Sequence, residues 1–151
     1  MIYITSDHGG YALKTSLVKH LQKKGCEFKD LGPNELDKED DYVDYAKSAA
    51  KKISLMPSKD QGIFLCRSGQ GMCVVANKYP GIRAAVAWNE KVARASKHDD
   101  FTNVLCLPSD YISESEAIKI VEAWLNEPWG KESRHRRRIG KIMNIEENFY
   151  K

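Results

Sequence analysis

The sequence predicts a Rossmann-like α/β fold, a three-layer sandwich with a parallel sheet of about five strands and an added C-terminal helix. Three observations carry that expectation. Short, nearly all-apolar segments of strand length alternate with segments whose apolar residues recur at helical spacing, the pattern of a sheet covered on both faces. The chain has 151 residues, 42% hydrophobic and 30% charged, enough to bury a substantial core and too apolar for disorder. No repeat, low-complexity tract or linker divides it, so residues 1–151 read as a single domain.

Taken in order, Ile2, Tyr3 and Ile4 open a buried strand over residues 2–6. Gly9-Gly10 turns the chain into a helix in which Leu13, Leu17, Val18 and Leu21 share a face and Gly25 marks the end. Residues 26–31 alternate like a second strand. Tyr45, Ala46, Ala49, Ala50 and Ile53 line a second helix that stops before Pro57. Residues 62–66 form a continuous apolar run of strand length, and residues 69–77 follow as helix. Residues 83–88 are strand-like and 91–97 helix-like. Residues 104–107 make the fifth strand, and Ala117, Ile120, Val121 and Trp124 mark the next helix. Beyond Pro128, Ser133 is placed to cap a last helix carrying Ile139, Ile142, Met143 and Ile145. That helix either packs on its own domain or reaches a neighbour.

Composition excludes several classes. No run approaches the ~18 apolar residues of a membrane span, and the N-terminus shows no basic, cleavable leader, so the expected location is the cytoplasm. Cys26, Cys66, Cys73 and Cys106 are too few and scattered for a disulfide scaffold and form no Cys-x-x-Cys pair, so no structural metal site is expected. Packing accounts for Cys73 and Cys106. The net charge of +3 implies no polyanion partner. The bases crowded between Lys131 and Lys141 occur without a nucleic-acid motif and with few aromatics, so nucleic-acid binding is not expected. Trp88, Trp124 and Trp129 read as core or interface anchors, and the acidic stretch 35–44 as a solvated loop apart from Asp41-Tyr42.

In such folds ligands sit beyond the carboxyl ends of the strands, which directs attention to the segments after Ser6, Cys66, Trp88 and Leu107. The strongest signal is Cys66-Arg67-Ser68-Gly69-Gln70-Gly71. Two glycines let backbone N–H groups approach a ligand, and the helix start favours an oxyanion or a cysteine thiolate. A buried small residue before a tight turn would look the same. The turn lacks the P-loop lysine and the third glycine of a dinucleotide fingerprint, which disfavours a nucleotide-binding module. Asp7-His8-Gly9-Gly10 places a carboxylate and an imidazole at the first strand's exit, although Asp7 could serve only as a cap.

These clusters do not stand alone. Asp7-His8-Gly9-Gly10, Asp41-Tyr42, Cys66-x-Ser68-Gly69-x-Gly71, Ala76-Asn77-Lys78, Gly81-Ile82-Arg83-Ala84, Thr102-Asn103-Val104-Leu105, and Arg134-His135 with Arg138 follow in this order. Together they resemble the ribose-5-phosphate isomerase B family, which includes the two chains of galactose-6-phosphate isomerase. The resemblance implies a sugar-phosphate isomerase of pentose phosphate metabolism that works through a cis-enediolate without metal or cofactor. It makes Cys66 the base, Ser68 and the following N–H groups (Gly69, Gly71) the enediolate contacts, and Asp7 the carboxylate on a sugar oxygen. His8 corresponds to a phosphate contact, Tyr42 to a pocket wall, and Asn103 to a polar residue near the site. Arg134 and Arg138, four apart on one helix face, correspond to phosphate-binding arginines supplied by the second subunit of a homodimer. The sequence leaves open whether dimers pair into tetramers.

Three departures bear on the function. The family's ring-opening histidine falls on Asp99, beside His98; a carboxylate could act there only with a strongly raised pKa, with Asp100 helping, or His98 could take the role. Arg67 replaces a common glycine, narrowing the pocket or adding a phosphate contact. Asp110 replaces a basic residue after the fifth strand. The expected activity is therefore ribose 5-phosphate to ribulose 5-phosphate. The alternatives are isomerisation of a hexose phosphate and a non-catalytic sugar-phosphate-binding subunit of a two-chain enzyme.

Overall fold

In the computed structural model, which describes residues 1–149, five strands form one parallel sheet. They are β1 (Ile2–Ser6), β2 (Phe28–Asp30), β3 (Gln61–Cys66), β4 (Ala84–Val86) and β5 (Val104–Pro108), in the order β2-β1-β3-β5-β4. The helices are α1 (Tyr11–Lys23), α2 (Tyr42–Ile53), α3 (Gln70–Ala76), α4 (Glu90–Asp100), α5 (Glu114–Asn126) and α6 (Ser133–Phe149). This is the expected three-layer arrangement. Strand β3 shows why its run is uninterrupted: Ile63 and Leu65 face one helical layer, Phe64 and Cys66 the other, and all four are buried. Leu17 and Leu21 of α1, Ala93 of α4, and Ile120, Val121 and Trp124 of α5 cover the first face. Ala46, Ala49, Ala50 and Ile53 of α2, with Met72 and Ala76 of α3, cover the second. Each fully buried large side chain contributes about 1.5–3 kcal/mol.

The boundaries shift where side chains cap or turn the chain. Helix α2 starts earlier than its apolar pattern, because the Asp41 carboxylate accepts the Val43 N–H at 3.1 Å. Helix α4 is longer at both ends: the Asn89 side chain caps its start, and Phe101, in the left-handed region at φ 53°, ends it. Ser113 and Glu116 form a reciprocal capping box on α5. Strand β2 is shorter than expected. It pairs only with Ile2, Tyr3 and Ile4, after which Gly32 at φ 95° turns the chain, and its carbonyl accepts from the Ser6 N–H and the Thr5 hydroxyl. The expectation for Ser133 is corrected: it is the first residue of α6, and the Glu132 carbonyl accepts the first helical N–H groups.

Helix α6 packs back on its own chain, across the amino-terminal edge of the sheet. His135 and Ile139 are buried, and the Glu146 carboxylate accepts the Gly81 N–H at 3.1 Å. Along the helix Ile142, Met143, Ile145 and Phe149 remain exposed. No helix among the described residues is long and apolar enough to cross a membrane.

Candidate active site

The chain leaves β1 for β2 on one side and returns to β3 on the other, so the sheet reverses direction of assembly between β1 and β3. A crevice opens beyond the carboxyl ends of strands at such a point. Asp7–Gly10 and Cys66–Gly71 flank it. The Asp7 N–H donates to the Leu65 carbonyl at 3.2 Å, and Asp7 Oδ1 accepts the Gly10 N–H at 3.0 Å. Burial pushes the Asp7 carboxyl above its ordinary pKa, and the Gly10 N–H opposes this. A Cβ on Gly10 would lie 2.5 Å from the Leu65 carbonyl oxygen, so only glycine lets the two loops meet.

Cys66 ends β3 with 5% of its surface exposed. Gly69, at φ 74°, then turns the chain into α3, and the Ser68 hydroxyl accepts the Gln70 N–H at 3.3 Å. The N–H groups of Ser68, Gly69 and Gly71 find no acceptor among the described residues. A thiol, a hydroxyl and a row of N–H donors thus converge on one loop, the set required to move a proton beside a developing oxyanion. A cavity of about 480 Å³ opens there, lined by Ser68, Gln70, Val86, Trp88, Pro108 and Tyr111. Cys73 and Cys106 lie in the layer behind Cys66. Burial holds the Cys106 thiol well above its usual pKa, consistent with a packing role.

Tyr42 lies against this loop: a Cβ on Gly71 would sit 2.7 Å from Tyr42 Cε2. His8 is anchored rather than free, with Nδ1 2.6 Å from Asp40 Oδ1, which also accepts the His8 N–H at 3.0 Å. The solvated-loop expectation for residues 35–44 therefore fails at Asp40, whose side chain is 5% exposed. Burial, followed by the charge of Asp40, raises the pKa of the Tyr45 phenol beside it. Trp88 is not a core residue: it is 57% exposed and lines the cavity. Trp124 is fully buried, as expected of a core anchor. Arg67 and Asp110, separate departures in the sequence, face each other at 3.5 Å, while the Asp110 N–H donates to the Arg67 carbonyl at 2.9 Å.

The other sequence-selected residues lie at the opposite edge. Helix α4 runs back from the carboxyl edge and ends beside the start of β5, so His98 and Asp99 are about 15 Å of sheet away from Cys66. There, His98 Nδ1 contacts Asp99 Oδ1 at 2.8 Å, His98 Nε2 lies 3.8 Å from Glu132, and the His98 and His135 rings are 5.8 Å apart. Arg134 Nε donates to His135 Nε2 at 3.2 Å, and Arg134 and Arg138 are exposed. The hydrogen bond from His98 holds the Asp99 carboxyl below the usual range, opposite to the raised pKa a proton donor there would need, and the same bond raises the pKa of His98.

Asn103 also lies away from the loop at Cys66. It is 1% exposed and precedes β5 at the amino edge, where Oδ1 accepts the Arg83 N–H at 2.8 Å and Nδ2 donates to the Pro57 and Gly81 carbonyls. These bonds tie the segments at Pro57, Gly81 and Arg83 together. One chain therefore assembles Asp7, His8, Tyr42, Cys66, Arg67, Ser68, Gly69 and Gly71 at one edge, and His98, Asp99, Arg134 and Arg138 at the other. Sequence reading missed Asp40, Tyr111, Glu132 and the contacts of His135; only for Tyr111, three residues beyond β5, did the carboxyl-edge rule offer a signal.

Comparison with known proteins gives a consistent result. The ribose/galactose isomerase family profile matches residues 2–142. The structure of ribose-5-phosphate isomerase B from Mycoplasma genitalium, solved with bound ribulose 5-phosphate, superposes with a TM-score of 0.93 at 43% identity, covering 97% of this chain and 95% of that one. The Clostridium thermocellum ribose-5-phosphate isomerase B gives a TM-score of 0.91 at 38% identity, covering 98% of each chain. Ribose-5-phosphate isomerase B of Mycobacterium tuberculosis is 34% identical over 145 residues, 96% of this chain and 89% of that protein.

Proposed function

Because the chain belongs to the ribose/galactose isomerase family, we propose that it interconverts an aldose phosphate and its ketose phosphate, with ribose 5-phosphate and ribulose 5-phosphate as the pair. The observation that carries this reading is the loop from Cys66 to Gly71, where a thiol, a hydroxyl and N–H groups without acceptors converge beside Asp7. The Cys66 thiolate takes the proton from C2 of the open-chain aldose. The electron pair of that bond becomes the C1–C2 double bond of a cis-enediolate, and O1 gains the charge. Ser68 Oγ and the N–H groups of Gly69 and Gly71 stabilise that oxygen. The thiol returns the proton to C1, the O2 proton passes to O1, and the ketose forms with its carbonyl at C2. Asp7, with Oδ1 engaged by Gly10, presents its other oxygen to a sugar hydroxyl. Tyr42 walls the pocket, His8 is held toward the phosphate by Asp40, and Arg67 borders the mouth.

The second half of the site comes from another copy of the chain. About 15 Å of sheet separates the two groups of residues within one chain, and the exposed apolar face of α6 offers a surface for association. In a homodimer Arg134 and Arg138 grip the phosphate, and His98, oriented by Asp99, protonates the ring oxygen during opening. Four free thiols suit a reducing cytoplasm. The test is isomerisation of ribose 5-phosphate by the purified chain, with a hexose phosphate panel and Cys66→Ala alongside. Turnover of ribose 5-phosphate that falls by at least about 100-fold in Cys66→Ala is expected of a lost general base. An alanine variant as fast as the wild type would overturn the assignment of the base, and turnover of hexose phosphates alone would overturn the substrate.

A further inference from the structure

The cluster at the end of α4 holds more coordinating groups than ring opening requires. One ring nitrogen of His98, a carboxylate oxygen of Asp99 and one ring nitrogen of His135 lie within 4.8 Å of one another. Asp99 Oδ1 is 2.8 Å from His98 Nδ1 and 3.7 Å from His135 Nε2. In a tetrahedral zinc site with bonds near 2.0–2.1 Å, neighbouring ligand atoms stand about 3.4 Å apart, so both distances from Asp99 lie within about 0.6 Å of that spacing, and the two imidazoles need to close by no more than about 1.4 Å. The nitrogen chemistry also fits. Arg134 donates to His135 Nε2, which requires a lone pair there, the form that binds a metal. On the far side of His98, Nε2 faces Glu132 at 3.8 Å, the place of an outer carboxylate that orients a metal-bound imidazole. Gly130 keeps this geometry close: its N–H donates to the His98 carbonyl at 2.9 Å, and a Cβ there would sit 2.9 Å from Glu132 Oε2 and 3.0 Å from His98 Cε1.

We propose that His98, Asp99 and His135 form a binding site for a divalent transition-metal ion of the zinc class, with Glu132 as its outer carboxylate. Two imidazoles and a carboxylate suit Zn²⁺ or Co²⁺, with a fourth position open to water, and do not suit Mg²⁺ or Ca²⁺. Binding moves the His98 N–H from Nδ1 to the nitrogen facing Glu132 and displaces Arg134 from His135. The ion therefore competes with the arrangement that holds Arg134 in place.

The test is calorimetric titration of the EDTA-treated full chain with Zn²⁺, paired with the visible spectrum on adding Co²⁺. One ion per chain in the micromolar range is expected, with a Co²⁺ spectrum of nitrogen and oxygen ligands. Asp99→Asn and His135→Gln should each weaken binding by at least about tenfold, and His20→Gln, in the separate His20–Glu122 pair, should leave it unchanged. Because His135 is buried, Asp99→Asn at a half-exposed position decides the matter if His135→Gln does not fold. No uptake of either ion well above micromolar concentration, unchanged binding in the variants, or a thiolate-to-cobalt charge-transfer band would overturn the proposal. None of these binding readouts depends on isomerase activity.

Discussion

Cys66→Ala and Arg134→Ala, each inactivating alone, should restore one another when combined in a heterodimer. The reason is geometric. Cys66 ends β3, paired with Pro108, whereas β5 begins at Val104 next to the turn from α4. The four-residue rise along β5 is about 13 Å, and no side chain spans it. A site using both residues therefore draws Cys66 from one chain and Arg134 from the other. Loss of the base costs about 10²–10⁴-fold, and loss of a charge-assisted phosphate contact costs about 2–5 kcal/mol, or roughly 30-fold or more. Each parental homodimer is then nearly silent in kcat/KM. A heterodimer carries one site lacking both groups and one site lacking neither, so it should reach about half the wild-type rate by symmetry. The assay is coexpression with two different tags, tandem purification, and ribulose 5-phosphate formation per dimer. A heterodimer that forms but stays at the parental level would refute the shared site.

Two further predictions follow from local geometry. Gly71→Ala places a methyl 2.7 Å from the Tyr42 ring; because Tyr42 is 39% exposed it can swing outward, so stability should fall by no more than about 1 kcal/mol while kcat/KM falls severalfold, read by urea unfolding and steady-state kinetics. Burial, with the Arg83 guanidinium second, pushes the Lys97 ammonium down from 10.5 to about 8. Its Nζ has no hydrogen-bond partner among the described residues and lies 3.9 Å above the Trp124 ring. Below pH about 8 the charge is carried in both folded and unfolded chains, at a cost to the fold. Between about 8 and 10.5 the unfolded chain binds the extra proton, so stability should rise with pH by at most about 3 kcal/mol, reduced by the cation–π contact. Lys97→Met should remove that slope in unfolding curves taken across the range.

The fold was legible because burial on both faces imposes nearly unbroken apolar runs, as in residues 63–66, and because helices here carry narrow apolar stripes. The misjudged ends, at β2 and α4, are set by backbone turns at Gly32 and Phe101 and by the Asn89 cap, which apolar periodicity does not report. Within the site, the rule that ligands gather at the carboxyl edge identified Asp7, Cys66 and Ser68. The same rule does not reach Asn103, His98 or Arg134, which lie at the opposite edge and were selected by the motifs around them. Asp40 had no local signal. It sits within an acidic run that looks solvated, and its partner His8 is 32 residues away.

The departures at positions 67, 99 and 110 look damaging one at a time and coherent together. An exposed arginine at 67 would crowd a site built around glycine, but Asp110 faces it at 3.5 Å and exchanges a backbone hydrogen bond with its carbonyl. The screened side-chain pair adds little stability, under about 1 kcal/mol; its effect is to direct a long side chain toward the loop after β5. Position 99 follows the same logic at the other edge. Moving an imidazole back by one residue turns it about 100° around a helix and shifts it about 1.5 Å, enough to misplace a proton donor. Here the displaced imidazole meets Asp99 on one nitrogen and Glu132 near the other, in a space that Gly130 leaves open. In the proposed mechanism the carboxylate at position 99 orients the histidine beside it, and the chemistry assigned to one side chain is divided between two.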